Sequence, residues 1–326
     1  MSDIEITIEA GTSQRLPVKG KRHERDIVVT AKGGKGTNKI AALANGTLYE
    51  ITADDLAGAT QIADYAFYRN PTINSLELSS GVATIGDYAF EYCSNLSSVN
   101  FHMLNSVKKI GAYAFAYCSN LTGIDIPFGV TSIGNSAFRD CSSLTSIDIP
   151  DSVTEIGTYT FCNCNLLEDI TIPSGVTSIG NSAFSKCSKL TSITFIEDES
   201  AEPLELASSC FKDCTSLENV VLPSRIKSLY GQSSVFSGAT SLTEVDCYCS
   251  NLGSSCFSST SLNKLILRYD GVVTLTSISA LNVAQHMTVY VKEKYADLYE
   301  NKTNWSSLIA EGKITIETIE SLEGTE

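Results

Sequence analysis

Residues 121–141 read LTGIDIPFGVTSIGNSAFRDC, and close variants of this stretch recur along most of the chain. A phenylalanine at the position of the last one in this stretch marks nine copies: Phe67, Phe90, Phe115, Phe138, Phe161, Phe184, Phe211, Phe236 and Phe257. The steps between them are 23, 25, 23, 23, 23, 27, 25 and 21 residues. A period of roughly 20 to 50 residues is typical of chains in which similar units stack in a row.

The sequence pattern of each copy predicts one short strand followed by turns. The triple Leu121, Ile124 and Ile126 ends in the alternation of period two that places apolar side chains on one face of a strand. Pro127 is expected to end that strand because it lacks a backbone donor. Gly134 is expected either to take positive φ or to let neighbouring coils approach closely. Because no single unit can bury its apolar side alone, the units are predicted to stack as coils.

The consensus L-x-x-I-x-I-P-x-x-V-x-x-I-G-x-x-A-F-x-x-C closely resembles the BspA-like (Treponema pallidum type) class of leucine-rich repeats, over roughly residues 60–268. The predicted fold is therefore β-rich: a leucine-rich-repeat solenoid of about nine coils with short parallel strands, an N-terminal β cap and a C-terminal α/β cap. The resemblance also implies a bacterial surface protein with a role in adhesion or protein binding.

Changes in pattern divide the chain into four predicted regions. Residues 1–36 form a small N-terminal β module or cap, 37–61 a linker and the entry to the first coil, 62–268 the solenoid, and 269–326 a C-terminal cap. Alternating runs at residues 4–8 and 26–30 predict a β-hairpin. Residues 11–16 and 26–31 resemble short modules in structural proteins of phages from gut bacteria. Trp305 is expected to help seal the C-terminal end of the solenoid.

Composition excludes several classes of partner. The chain has 326 residues, a hydrophobic fraction of 43% and a formal net charge of −14, so a nucleic-acid partner is not predicted. No apolar run approaches the ~18 residues of a membrane helix, and membrane insertion is not predicted. Residues 1–11 carry acidic residues and no basic segment, so they do not predict a signal peptide. The predicted location is extracellular, on a bacterial cell surface or a phage virion.

Residues that carry chemistry are sparse, and no enzyme, metal or cofactor is predicted. Only three histidines occur, and no cysteine pair has zinc-ligand spacing. Residues 33–37 lack the order of a phosphate-binding loop. Six cysteines lie three residues after a repeat phenylalanine and are predicted to form a buried packing ladder: Cys93, Cys118, Cys141, Cys164, Cys187 and Cys214. Cys247, Cys249 and Cys256 leave open whether a disulfide forms among them.

Two strand columns are predicted to be exposed. One contains Glu77, Asn100, Asp125, Asp148, Thr171, Thr194, Val221, Asp246 and Ile266, and the other Ser75, Ser98, Gly123, Ser146, Asp169, Ser192, Asn219, Glu244 and Lys264. Their acidic members Asp125, Asp148, Asp169, Glu244 and Asp246 are a candidate binding strip, with a plain solvated face as the alternative. Residues 197–205 are expected to form an acidic, solvated loop.

Tyrosines concentrate in the early copies and form a second candidate binding surface: Tyr65, Tyr68, Tyr88, Tyr92, Tyr113 and Tyr117. Tyrosine is enriched where proteins bind partners, although half-buried support of the core is the alternative here. The predicted function is a non-enzymatic, surface-presented binding or adhesion protein that recognises a protein or a glycan. The alternatives are a structural spacer between flanking modules and, more remotely, a carbohydrate-active enzyme.

Overall fold

A computed structural model of the chain describes residues 16–17, 26–27, 29–31, 49–53, 56, 59–101, 106–198, 200–229, 231–281 and 286–323. The chain divides into two compact units, Met1–Asn165 and Leu166–Glu326. The predicted N-terminal run at residues 4–8 and the glycine-rich residues 33–37 lie outside the described residues.

The first unit is built from short strands. They are β1 (Leu16–Pro17), β2 (Asp26–Ile27), β3 (Val29–Ala31), β4 (Tyr49–Ile51), β5 (Ala59–Ile62), β6 (Ile73–Glu77), β7 (Thr84–Ile85), β8 (Ser98–Asn100), β9 (Lys109–Ile110), β10 (Gly123–Asp125), β11 (Ser132–Ile133), β12 (Ser146–Asp148) and β13 (Glu155–Ile156). β1 pairs with β2, and β3 with β5, in antiparallel fashion.

Two parallel ladders run through this unit. β4, β6, β8, β10 and β12 form one ladder, and β5, β7, β9, β11 and β13 form the other. Ile124 of β10 pairs with Val99 on one side and with Ile147 on the other, so equivalent residues of successive coils lie in register. The repeat therefore produces stacked coils, as the sequence predicts.

A third ladder consists of turns around the repeat phenylalanines. The backbone N–H groups of Tyr88, Phe90 and Tyr92 donate to carbonyl oxygens of the next coil at 2.8, 2.8 and 2.9 Å. In all nine copies, the residues two before and two after the phenylalanine have positive φ, as Tyr88 (58°) and Tyr92 (62°) do. Because of this alternation, every second N–H group of the turn points toward the next coil. These N–H groups lie outside the strands, and the carbonyl oxygens of the next coil satisfy them.

The core of the first unit is a column of phenylalanine rings. Phe90, Phe115, Phe138 and Phe161 are fully buried, and successive rings stack at 5.3, 5.5 and 5.5 Å. The predicted cysteine ladder is confirmed as buried and free of disulfides. Its thiols also have a polar role that the sequence does not indicate, because the Cys118 Sγ donates to the Phe90 carbonyl at 3.2 Å.

The repeat glycines allow close approach, since none of Gly86, Gly111, Gly134 and Gly157 takes positive φ. A Cβ added to Gly134 would lie 2.5 Å from the Ala112 nitrogen and 2.6 Å from the Gly111 carbonyl carbon. We expect Gly134→Ala to reduce the free energy of unfolding by about 1 to 3 kcal/mol, because the backbone of the neighbouring coil must shift. Thermal and urea unfolding measure this effect.

Gly123→Ala is the matched control in the same coil, because a Cβ there would meet nothing within 4 Å. Its expected change is within about 0.5 kcal/mol. Equal stability of the two alanine variants would show that the approach of the coils does not limit residue size at position 134.

The second unit contains strands and three short helices. They are β14 (Asp169–Ile172), β15 (Ser178–Ile179), β16 (Ser192–Phe195), β17 (Glu205–Leu206), β18 (Asn219–Val221), β19 (Glu244–Cys247), β20 (Asn251–Leu252), β21 (Lys264–Leu267), β22 (Thr274–Leu275), β23 (Met287–Val291), α1 (Ala296–Tyr299), α2 (Trp305–Ala310), β24 (Ile314–Thr318) and α3 (Ile319–Glu323). Two 3₁₀ turns lie at Ile278–Leu281 and Glu293–Tyr295.

Parallel pairing continues within this unit. β14 pairs with β16, β15 with β17 and β20 with β22, and β18, β19, β21, β23 and β24 form a five-stranded sheet. Trp305 is fully buried, and its Nε1 donates to the Val273 carbonyl at 2.7 Å. Its ring contacts that of Tyr299 edge-on at 5.0 Å.

Two details of the predicted solenoid need correction. The coils number about eleven rather than nine, because β21 and β23 both follow Phe257, the last repeat phenylalanine. Neither of these strands is followed by a repeat phenylalanine, which is the residue that the count uses. In addition, Ile266 is 3% exposed rather than solvated, because Leu265, Ile266 and Leu267 are all buried and β21 therefore has apolar side chains buried on both faces.

Candidate functional site

Six tyrosines of the first unit lie together on the ladder of turns. We call Tyr65, Tyr68, Tyr88, Tyr92, Tyr113 and Tyr117 the tyrosine surface. One column of rings stacks nearly parallel, with centroid distances of 4.7 Å between Tyr65 and Tyr88 and 5.0 Å between Tyr88 and Tyr113. Their interplanar angles are 4° and 7°. The repeat thus places one tyrosine directly above another.

A second column runs beside the first. Tyr92 and Tyr117 stack at 4.3 Å and 6°, and Tyr68 contacts Tyr92 edge-on at 6.1 Å and Tyr65 edge-on at 5.7 Å. Tyr65 is exposed and the other five are half-buried. Because stacked rings cover one another's faces, this surface presents ring edges and hydroxyl groups to solvent.

The backbone beneath this surface is strained. Tyr65, Tyr88, Tyr92, Tyr113 and Tyr117 all have positive φ, between 55° and 62°. Three of the equivalent positions elsewhere also hold large side chains, Arg69, Tyr159 and Lys186. The others hold short side chains or glycine: Ser136, Asp140, Asn163, Ser182, Ser209, Asp213, Ser234, Gly238, Ser255 and Ser259. An aromatic residue with positive φ is uncommon and costs on the order of 1 kcal/mol.

Two arginines border the tyrosine surface. The Arg69 guanidinium carbon lies 4.9 Å from the Tyr92 ring centroid and 5.3 Å from that of Tyr68. The Arg139 guanidinium carbon lies 6.0 Å from the Tyr117 centroid, and its Nε pairs with Asp140 at 3.0 Å. Both contacts have the geometry of cation–π attraction.

The hydroxyl groups of Tyr88 and Tyr117 remain protonated at neutral pH. Burial is the main cause that raises the pKa of Tyr88, and the adjacent hydroxyls of Tyr65 and Tyr113 raise it further. Burial also raises the pKa of Tyr117, and the nearby Arg139 only partly offsets this increase. These two residues therefore have neutral hydroxyls, which can both donate and accept hydrogen bonds.

The predicted acidic strip is a shallow groove in the first unit. Residues of β8, β10 and β12, together with Ser97 and Thr122, line a volume of about 250 Å³. Asp125 and Asp148 lie in register on adjacent strands along it, and both are exposed. Gly123 leaves the middle of the groove open.

The remaining acidic candidates belong to the second unit. Asp169 begins β14 and is exposed. Glu244 pairs with Lys264 at 3.1 Å, and Asp246 pairs with Arg268 at 2.8 Å. Burial is the main cause that raises the pKa of Asp246, while its contact with Arg268 lowers it. These two carboxylates on β19 are therefore already neutralised by the next coil.

The structure assembles no catalytic group among the residues that it describes. His286, the one histidine there, contacts the Gly312 carbonyl and the Thr315 hydroxyl, both at 3.0 Å, while His23 and His102 lie outside the described part. Burial raises the pKa of the Cys93 thiol to about 12, which leaves it un-ionised at neutral pH. No group of three His, Cys, Asp or Glu side chains in that part is placed to hold a metal ion.

Sequence reasoning missed the roles of three cationic residues at these surfaces. Arg69 stands two residues after Phe67, in the same repeat position as Tyr92 and Tyr117, and an alignment of the copies would have placed it beside them. Lys264 and Arg268 neutralise acidic residues of β19 because they lie one coil further along, at 3.1 and 2.8 Å.

Parallel strands in register, short turns and a buried aliphatic and aromatic core define a leucine-rich-repeat solenoid. The chain belongs to the BspA-type leucine-rich repeat family, whose model matches residues 42–109, 60–189, 108–230 and 166–282. Those matches extend from residue 42 to residue 282, well over half the chain. No curated protein matches the chain. In the described part, no helix is both long and apolar enough to cross a membrane.

Several solved structures resemble the chain. The Treponema pallidum leucine-rich repeat protein is 29% identical over 49% of this chain and 72% of its own, with a TM-score of 0.45. A leucine-rich cell surface protein from Faecalibacterium prausnitzii is 22% identical over 96% of this chain and 87% of its own, with a TM-score of 0.48. The pneumococcal vaccine antigen PcpA is 16% identical over 96% and 91%, with a TM-score of 0.50, which supports the fold.

Proposed function

We propose that the protein is a non-enzymatic binding protein, displayed on a surface, which recognises its ligand through the tyrosine surface of the first unit. The observation that carries this proposal is the choice of tyrosine at five positions of positive φ. Equivalent positions elsewhere hold mostly serine, aspartate, asparagine or glycine, so local backbone preference does not explain the tyrosines. Strained positions of this kind are retained where a surface has a functional role.

The proposed ligand is a protein or a glycan, and the proposed location is extracellular. Membership in the BspA-type family supports display on a bacterial cell surface, because these repeat proteins are surface proteins with roles in binding and adhesion. The resemblance of the N-terminal segment to phage modules supports a virion as the alternative carrier. Rigid tyrosines bind at low entropic cost, which suits either ligand.

A structural spacer is the second candidate. The stacking of Tyr65, Tyr88 and Tyr113 at 4.7 and 5.0 Å favours it, since such contacts stabilise neighbouring coils directly. Aromatic pairs contribute about 0.5 to 1.5 kcal/mol beyond the area that they bury. The two candidates differ in whether attachment depends on these rings.

A triple variant, Tyr88→Ser with Tyr92→Asn and Tyr117→Asn, separates the two candidates. Each new residue is one that the chain itself uses at the same repeat position, as at Ser136 and Asn163, so the fold is expected to be retained. We expect attachment to fall at least about tenfold, the loss typical of hot-spot tyrosines. The measurement is binding of the labelled protein to epithelial cells and to arrays of glycans, with circular dichroism to check folding.

A control variant carries Tyr248→Ser and Val221→Ser, which remove exposed aromatic and apolar side chains of the second unit. We expect it to attach like the natural chain. Full attachment by a folded triple variant contradicts the binding proposal and favours the spacer.

A further inference from the structure

Arg69 differs from the other arginines in the described part of the chain. Arg139 pairs with Asp140, Arg268 pairs with Asp246 and Glu323, and Arg225 donates to three carbonyl oxygens. Arg69 is exposed and forms no hydrogen bond or ion pair with any described residue. Its guanidinium contacts only the faces or edges of tyrosine rings there. Within the described part of the chain, no residue therefore occupies the five N–H donors of this group.

The position of Arg69 is constrained from two sides. Its backbone N–H donates to the Glu91 carbonyl at 2.7 Å, and its φ of 55° lies in the left-handed region. Its guanidinium lies 4.9 and 5.3 Å from the ring centroids of Tyr92 and Tyr68. A guanidinium held against aromatic rings has lost much of its freedom before a ligand arrives, so binding costs less entropy.

We propose that Arg69, together with Tyr68 and Tyr92, is a docking site for carboxylate side chains of an acidic segment of a protein partner. A planar guanidinium with a free fork of donors matches a carboxylate through two parallel hydrogen bonds. This inference rests on the proposed binding function and specifies the chemistry of the partner.

A protein fits this site better than a glycan does. Sugar rings stack their C–H faces on open aromatic faces, whereas Tyr92 and Tyr117 lie 4.3 Å apart at 6° and cover one another. What remains is a set of ring edges, hydroxyls and one guanidinium, which suits the carboxylates and amides of an extended peptide.

The charge of the whole chain makes the proposal specific. Its 37 acidic residues against 23 basic ones repel polyanions in general, so acidic peptides have no diffuse attraction to this protein. Binding of such a peptide must therefore come from a local cationic site, and a single substitution should remove most of it.

The test is a titration of a fluorescently labelled glutamate–glycine peptide with the full-length chain, followed by anisotropy. We expect saturable binding that Arg69→Gln weakens at least tenfold, since a charge-assisted bidentate contact is lost. Arg69→Lys should restore only part of it, because lysine keeps the charge and loses the fork. Lys109→Gln, which removes an exposed cation of β9 in the same unit, should leave binding unchanged.

Several outcomes overturn the proposal. They are no binding by the natural chain, equal affinity of the Arg69→Gln variant, an equal loss in Lys109→Gln, or binding of a polygalacturonate chain as tight as that of the peptide. The cell-attachment assay distinguishes the two levels of inference. If the tyrosine triple variant loses attachment while the Arg69→Gln variant keeps its affinity for the peptide, the proposed binding function is supported. The same result contradicts the proposal of an acidic partner.

Discussion

Replacement of Arg225 by alanine is expected to lower the free energy of unfolding of the second unit by about 3 kcal/mol or more. Arg225 is 5% exposed, and its two Nη atoms donate to the carbonyl oxygens of Pro173, Ser174 and Val176 at 3.1, 3.2 and 2.6 Å. Alanine would leave these acceptors without a donor, and each unsatisfied buried group costs about 1 to 3 kcal/mol. Urea unfolding of the full chain measures the loss.

The side chain of Arg225 crosses a coil that differs from its neighbours. That coil holds the longest step between repeat phenylalanines, 27 residues from Phe184 to Phe211, and residues 196–206 lack the Pro-x-x-Val turn. Arg225 comes from the following coil and reaches the turn of the preceding one. Burial lowers the pKa of Arg225, and Glu197 raises it.

Two further variants show whether the donors or the volume of Arg225 are responsible. Arg225→Met keeps most of the volume without a donor and is expected to be nearly as unstable as Arg225→Ala. Lys227→Ala removes a neighbouring exposed cation and should change stability by no more than about 0.5 kcal/mol. A methionine variant as stable as the natural chain would contradict the role given to the donors.

The coils and their core could be predicted from the sequence because the same positions repeat in every copy. Phe138 and Cys141 each have counterparts at a near-constant spacing, and a residue type that recurs at one place in a stack is a packing residue. The extra coils at β21 and β23 escaped the count because no repeat phenylalanine follows either strand. A pattern finds only the copies that keep the residues defining it.

The geometry of the tyrosine surface could not be predicted in the same way. Positive φ two residues from each phenylalanine was indicated by Asn163, Asp213 and Gly238, which are residue types that favour it. The tyrosines at the same positions conceal that signal, because aromatic residues do not favour this conformation. Stacking at 4.3 to 5.0 Å follows only when the distance between coils is known.

Charge pairing shows a related limit of sequence reasoning. Asp125 and Asp246 occupy the same strand column, yet Asp246 pairs with Arg268 at 2.8 Å while Asp125 is exposed in the groove. Arg268 lies just past the end of β21, outside the columns that the alternation of strand residues defines. The partner of Asp246 therefore lies beyond the end of a strand, at a position that the repeat pattern does not specify.

Replacement of Phe138 by alanine should produce the second large loss, about 3 to 5 kcal/mol in the free energy of unfolding. Its ring is fully buried and stacks between Phe115 and Phe161, at 5.5 Å from each. Because each coil contacts only its neighbours, the missing ring leaves a cavity between two coils that no distant residue can fill. Hydrogen exchange should show the loss of protection first at the amides of Phe115 and Phe138, which donate within this ladder.

Phe128→Ala is the matched control, since it makes the same substitution in the same coil at a ring that is 67% exposed. Its expected change is within about 0.5 kcal/mol, because little apolar surface is returned to water. A loss of similar size in both variants would show that phenylalanine stabilises this coil irrespective of stacking. A loss confined to Phe138→Ala would show that the buried column of rings stabilises the coil. The exposed residues of the coils could then change type without loss of stability, as they do between the tyrosine surface and the later copies.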